Sequence, residues 1–249
     1  MTGSGSDAPL ELVGSAQAHV VVSSLGDDVV LDNEQAHHLV RVQRLREGES
    51  VSATDLAGHW RSYVLAAVRP TVTLEATGPV ATAAEGRPTR LVLAAAKASK
   101  PDLVVRMATE LGVAAIDVAI AERSIVRWDA RRAVQIKERL DLVALAAVKQ
   151  SRRVTAPQIH VGGALVERAT QAAASALVLI ADPSGLPAVD LVGHLPAASP
   201  VCVVTGPEGG LAPKELLALD EFPRLRLGRH VLRAETAPVA ALGALCAFA

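Results

Sequence analysis

The hydrophobic pattern changes period partway along the chain, so the two stretches must bury their apolar side chains in different ways. Through residue 77 the apolar runs are short and β-branched: 19–23 (HVVVS), 28–31 (DVVL), 50–55 (SVSATD), 60–69 (WRSYVLAAVR) and 71–77 (TVTLEAT). Turn signals separate them at Gly26-Asp27, Glu47-Gly48 and Ala57-Gly58. This spacing predicts a small β-barrel or sandwich. Between the strands, DNEQAHHLVRVQRLR predicts one amphipathic helix that starts at Asp32 or Asn33. Residues 78–88 (GPVATAAEGRP) read as a linker. Beyond them, continuous apolar strands at 90–96 (RLVLAAA), 114–120 (AAIDVAI), 176–182 (ALVLIAD) and 201–206 (VCVVTG) alternate with helical patterns. Ser99 is placed to cap a helix with Pro101 and Asp102 in its first turn, ending at Gly112. A long helix spans about Asp129 to Gln150, LAPKELLALD is a short one, RLRLG is a strand, and Thr236 caps a C-terminal helix. Such alternation predicts an α/β domain whose mostly parallel sheet is covered on both faces. The expected layout is a flexible tail at 1–16, a β-domain at 17–77, the linker at 78–88 and the α/β domain at 89–249.

Half of the 249 residues are apolar, enough for a sizeable core, which excludes wholesale disorder. No apolar run reaches the roughly 18 uninterrupted residues of a membrane helix. The N-terminus, MTGSGSDAPLELVG, lacks the basic and apolar regions of a signal peptide. Cys202 and Cys246 suit two buried thiols in a reducing cytoplasm, and no metal-ligand spacing is present. Aromatic residues make up only 2%, so a nucleic-acid partner would be held by charge, hydrogen bonds and shape rather than by stacking. The net charge of −1 hides a gradient. Residues 1–86 carry 5 Lys/Arg against 11 Asp/Glu, residues 87–153 carry 14 against 7, and residues 154–249 carry 6 against 8. The basic middle suits phosphate binding, and equally a solvated helix face.

Two motifs concentrate chemistry. Thr205-Gly206-Pro207-Glu208-Gly209-Gly210 follows a buried strand and precedes a helix, where α/β proteins bind ligands. Its glycines let backbone approach a ligand and adopt positive φ. It matches neither a dinucleotide fingerprint nor a P-loop, and a plain tight turn is the alternative. Leu227-Gly228-Arg229-His230-Val231-Leu232-Arg233-Ala234-Glu235-Thr236-Ala237 puts two arginines, a glutamate and a hydroxyl at another strand end. Charge that dense in an apolar region must be paired or used.

Together with KASKPDLVVRMATELGV, ERSIVRW, KQSRRVTAP and HHLVRVQRLREGESV, which stand in the family's order and cover nearly the whole chain, these motifs resemble the RsmE family. Its members are 16S ribosomal RNA uracil-N3 methyltransferases of the SPOUT superfamily. The resemblance implies a PUA-like barrel followed by an α/β domain tied in a deep trefoil knot. It also implies a homodimer formed through the SPOUT domain and a cytoplasmic enzyme acting on the small ribosomal subunit. S-adenosylmethionine would be enclosed by LIADPSG, TGPEGG and LGRHVLRAETA. The implied contacts are Leu179, Gly206, Glu208, Gly209, Gly210, Leu227, Gly228, Val231, Leu232 and Thr236. Leu211 stands where the family commonly has an aromatic residue.

Uracil N3 carries a proton at neutral pH, so the reaction requires a base or cationic donors facing O2 and O4. Arg233 suits the electrostatic role, and Glu208 or Glu235 the base. Arg41, Arg44, Arg46, Lys97, Lys100, Arg106, Arg123, Gln150, Arg152 and Arg153 are the expected RNA contacts. Adjacent His37 and His38 read as fold or RNA-backbone residues. Two alternatives remain: a SPOUT methyltransferase for another RNA site, such as tRNA or a ribose 2′-oxygen, and a non-catalytic ribosome-assembly binder.

Overall fold

The short apolar runs become strands β1 (Ala18–Val21), β2 (Asp28–Val30), β3 (Ser50–Thr54), β4 (His59–Ala67), β5 (Thr73–Ala76) and β6 (Ala81–Thr82). The computed structural model describes residues 15–83, 86–96, 100–196 and 199–247. The strands form one sheet in the order β1-β3-β4-β5-β2, with β6 on β4. β1 pairs parallel to β3, and every other pairing is antiparallel. One face buries Leu39, Val51, Tyr63, Leu65 and Leu74, with Tyr63 and Leu65 at the period of two that a strand imposes. Residues 1–14 of the expected tail lie outside the described residues, while Ala16 is buried. β6 falls inside the stretch read as a linker.

The single helix expected from Asp32 onward is replaced by a broken one. Helix α1 (Asn33–His37) starts as expected, with the Asp32 carboxylate accepting from the Gln35 N–H at 2.8 Å. From His38 to Val42 the backbone widens to a π-turn, closed by Gln43 N–H to the His38 carbonyl at 2.9 Å. Arg44 then adopts φ +61°, which ends the element. Amphipathic spacing does not reveal this because Leu39 is buried in either geometry.

Contacts divide the chain into two compact units. The first runs through Glu85 and also takes in Val148–Ala156, a segment sequence alone places in the α/β domain. Within this unit the Val154 carbonyl accepts from the Gly58 N–H (3.1 Å) and the Thr54 hydroxyl (3.0 Å). The second unit holds strands β7 (Thr89–Ala94), β8 (Ala115–Ile120), β9 (Gln158–Ala164), β10 (Leu177–Pro187), β11 (Val201–Thr205) and β12 (Arg224–Arg226). All are parallel, in the order β12-β10-β11-β7-β8-β9. One face is covered by α2 (Lys100–Glu110), α3 (Ala130–Ser151), α5 (Ala188–Val192) and α7 (Thr236–Ala247). The other is covered by α4 (Leu165–Ala172) and α6 (Pro213–Ala218). Gly112 ends α2 with φ +86°, as its position suggests. The Ser99 cap lies outside the described residues.

Polar groups are few in this core, and its buried carboxylate is held by several partners. Asp117, in the middle of β8, is buried and takes a bidentate pair from Arg90, with His160 at 3.5 Å and Arg168 at 4.0 Å. Cys202 is buried and its thiol is pushed up to about 12, which makes it inert. Cys246 is exposed, contrary to expectation, in the last turn of α7, where its thiol donates to the Leu111 carbonyl at 3.2 Å. Among the described residues no helix is long and apolar enough to cross a membrane.

His19 is buried in the first unit, with Nδ1 2.7 Å from the Ser52 hydroxyl and Nε2 3.0 Å from the Arg153 carbonyl. Burial pushes its pKa from the ordinary 6.5 down to about 4. The unfolded chain therefore takes up the proton first as pH falls through 6.5. The unit should lose stability progressively between pH 6.5 and 4, by about 3 kcal/mol in all if the shift is fully expressed. Denaturation followed by Trp60 fluorescence in a Trp128→Phe background measures this, and a further His19→Asn change should remove most of the slope.

Candidate active site

Three chain segments converge at the carboxyl ends of β10, β11 and β12 and enclose a cleft of about 740 Å³, counting the solvent at its mouth. They are Ala181–Pro183, Thr205–Leu211 and Leu225–Ala237, within which not every residue lines the cleft. Parallel pairing sets Thr205 beside Ala181, and Ala181 beside Leu225. These three side chains form one transverse row at the base of the cleft.

The glycine loop is a tight turn with a specific closure. Gly210 N–H donates to the Pro207 carbonyl at 2.8 Å, which puts Glu208 and Gly209 at the tip. Gly210 takes φ +68°, a conformation that favours glycine. Gly209 has an ordinary φ, and a Cβ there would meet only the Arg123 side chain, at 3.6 Å from Cδ and 3.7 Å from Cβ. The positive-φ requirement in this loop therefore falls on Gly210. Leu211 folds back over Gly206, where a Cβ would lie 3.2 Å from the Leu211 Cγ and N. Arg123 holds the loop from outside, donating to the Gly209 carbonyl at 2.8 Å. Glu215 is buried and accepts from the Ala212 and Glu122 N–H groups at 2.8 and 2.9 Å, tying the loop to the end of β8.

The first wall depends on a bulge. β10 pairs with β12 on both sides of residues 182–185, and the register shifts between them. Gly185 lies so close to β12 that a Cβ would sit 2.4 Å from the Arg224 carbonyl carbon and oxygen. The bulge carries Asp182 into the cleft, where its carboxylate accepts from the Ser184 N–H at 2.8 Å. The third wall ends at α7, whose first two N–H groups donate to the Arg233 carbonyl at 3.0 Å. The helix thus starts at Thr236, which is its first residue rather than the capping residue before it that sequence suggests.

Of the residues singled out from sequence, Gly206, Glu208, Gly210, Leu227, Gly228, Val231 and Leu232 line the cleft. Leu179 is fully buried in the core below it. Gly209 and Thr236 lie on the two flanking segments, off the lining. Arg233 is exposed and Glu235 half-buried, next to lining residues Leu232 and Ala234. Thr205, Asp182, Arg226 and His230 also line the cleft and went unnoticed as site residues. Thr205, Asp182 and His230 lay inside TGPEGG, LIADPSG and LGRHVLRAETA, and Arg226 lay outside these motifs. Arg41, Arg44 and Arg46 are exposed in the first unit, which also contains exposed Gln150 and half-buried Arg152 and Arg153. Arg106 is exposed on α2, Lys97 lies outside the described residues, and only the backbone of Lys100 is described.

The cleft suits a nucleoside-sized ligand with a charged tail, given its apolar floor and polar rim. Residues 84–246 match the model of an RNA methyltransferase domain, and residues 31–75 that of an RNA methyltransferase PUA domain. The chain is 31% identical to the ribosomal RNA small subunit methyltransferase E of Mycobacterium bovis, covering 88% of this chain and 86% of that one. Identity to its Bacillus subtilis counterpart is 30%, covering 86% and 88%. The Neisseria gonorrhoeae enzyme bound to S-adenosyl methionine superposes with a TM-score of 0.78 at 25% identity, covering 92% and 96%. Fold and site thus define an RNA methyltransferase with a PUA domain. The chain belongs to the ribosomal RNA small subunit methyltransferase E (RsmE) family.

The backbone geometry sorts the glycines by cost. Gly185→Ala should destabilise the second unit by about 1–3 kcal/mol, the range for overpacking, because its clash is with backbone. Gly210→Ala should cost about 1–2 kcal/mol for its left-handed φ. Gly209→Ala should change stability by less than about 0.5 kcal/mol. Chemical denaturation of the three variants checks the ranking.

Proposed function

We propose that this chain is a cytoplasmic enzyme that methylates N3 of one uridine in the 16S rRNA of the small ribosomal subunit, using S-adenosylmethionine. The observation that carries the reading is the three-walled cleft at the ends of β10, β11 and β12, in a chain of this family. The cofactor fits it by chemistry. An apolar floor suits a purine, a turn of exposed backbone suits ribose and carboxylate, and Asp182 and Glu208 suit an ammonium and a sulfonium. S-adenosylmethionine supplies an activated methyl group on its sulfonium.

The remaining work falls to this chain's own residues. Loss of the N3 proton spreads negative charge over O2 and O4. The exposed Arg233 guanidinium, on the segment between lining residues Leu232 and Ala234, can donate to both oxygens in a planar fork. Glu208, at the tip of the glycine turn, is the first candidate to accept the proton, and Glu235 the second. Positioning supplies much of the rate, since transfer requires donor and acceptor in line. Arg41, Arg44, Arg46, Gln150, Arg152 and Arg153 would hold rRNA phosphates from the first unit, which fits their exposed or half-buried positions. Arg106, Lys97 and Lys100 would add contacts from the second unit. Arg123 would act mainly through the glycine loop it already holds. The family reading further implies a trefoil knot around the cleft and a homodimer through the methyltransferase unit.

In vitro methylation of small subunits that lack the mark, followed by nucleoside analysis, tests this reading. It expects 3-methyluridine. Label in a ribose or in another base would redirect the activity, and no label with cofactor bound would leave an assembly binder. Arg233→Lys should slow single-turnover methylation by about 10²-fold with little loss of binding, as for removal of one oxyanion donor. Raising the pH should restore part of the rate, because solvent then helps remove the N3 proton.

A further inference from the structure

The floor of the cleft contains one polar atom that the fold does not use. In the transverse row Leu225–Ala181–Thr205–Leu93, set by strand register, three side chains are apolar. The fourth, Thr205, is 1% exposed. Its hydroxyl is buried and has no hydrogen-bond partner among the described residues. Thr205 nonetheless lines the cleft. Valine would have the same shape and β-branching at this strand end, without a polar atom to satisfy. Residues 201, 203 and 204 of the same strand are in fact valine. A buried hydroxyl without a partner is destabilising, so its presence beside a ligand cleft calls for a partner brought by the ligand.

We infer that Thr205 is a cofactor-binding residue whose hydroxyl donates to a ring nitrogen of the adenine of S-adenosylmethionine. The inference rests on the cofactor reading above and adds to it the part of the ligand that this hydroxyl recognises. Three observations select adenine. Thr205 sits at the base of the cleft between Ala181 and Leu93, whereas Asp182, Glu208 and Arg226 supply the charged lining. Ribose hydroxyls and the amino-acid tail carry several polar atoms each, and this base offers only one partner. A flat purine needs apolar contact over its faces and few hydrogen bonds at its edge, and its edge nitrogens are acceptors without protons. The hydroxyl has one proton to give, and no described carbonyl takes it. The assignment makes Thr205 a specificity residue: an intact purine satisfies the buried donor, and a ring without that nitrogen leaves it unpaired.

The test uses the full chain, S-adenosylhomocysteine as probe, and the variants Thr205→Val and Thr205→Ser. By calorimetry, Thr205→Val should weaken binding about tenfold, or 1.4 kcal/mol, and Thr205→Ser by less than about threefold. Without ligand, Thr205→Val should melt at or above the wild-type temperature, because it removes an unsatisfied group. The same titrations with the 1-deaza, 3-deaza and 7-deaza forms of the probe locate the contact. For one of them, wild type and Thr205→Val should bind alike. A lower melting temperature of free Thr205→Val would give the hydroxyl a structural partner and overturn the inference. Equal affinity of wild type and Thr205→Val for the intact probe would overturn it while leaving the cofactor reading standing. A penalty that persists with all three deaza forms would move the contact off the adenine ring. Failure of the wild-type chain to bind the probe would overturn the cofactor reading and this inference together.

Discussion

The cleft depends on how closely two backbones approach at Gly185. No side chain separates β10 from Arg224 and Leu225 there, since a Cβ would lie 2.4 Å from the Arg224 carbonyl group. That approach lets β10 leave β12 at Ala181, bulge over 182–185 and rejoin it at Leu186. Without the bulge Asp182 would lie in a regular strand and the first wall would close. The second wall depends on Gly206 in a similar way, because Leu211 seals the loop by packing where a side chain would otherwise stand. Both walls are therefore made by omission of side chains, which exposes backbone to a ligand and draws strands β10, β11 and β12 together.

The rest of the second unit holds this arrangement still. Arg123 and Glu215 both fix the glycine loop, one donating to its carbonyls and the other accepting from the Ala212 N–H at its end. The Arg233 carbonyl fixes the start of α7. Asp117 binds β7 to β8 through Arg90. Apart from that pair, charged groups act mainly at the loops, while the strands supply an almost wholly apolar interior. Against that background the Thr205 hydroxyl stands out as a polar atom awaiting a partner.

Much of the fold was legible in the sequence because its signals are local. Continuous apolar runs marked β7, β8, β10 and β11, Gly112 marked the end of α2, and Asp32 the start of α1. β9 and α4 escaped notice: QIHVGGA mixes polar residues and glycines into an edge strand in which only Ile159 is buried, and α4 is short. The break in the helix after His37 was also hidden, since the π-turn keeps Leu39 in the core. At the site, the glycine loop was readable from TGPEGG. Asp182 and Gly185 lay in LIADPSG, which only the family resemblance tied to the cofactor, and no motif marked Arg226, because a register shift between two strands shapes this wall. Placement of Val148–Ala156 in the first unit depends on long-range contacts such as that of Thr54 with Val154, which no local pattern encodes.

Amide hydrogen exchange with and without S-adenosylmethionine tests the central claim most directly, because it reports every backbone segment of the intact chain. The account predicts protection confined to the three walls: residues 181–187, 205–212 and 225–237. The β7–β8 pair around Arg90 and Asp117 should not change. Protection centred on that pair, or no protection of the glycine loop at saturating cofactor, would contradict it.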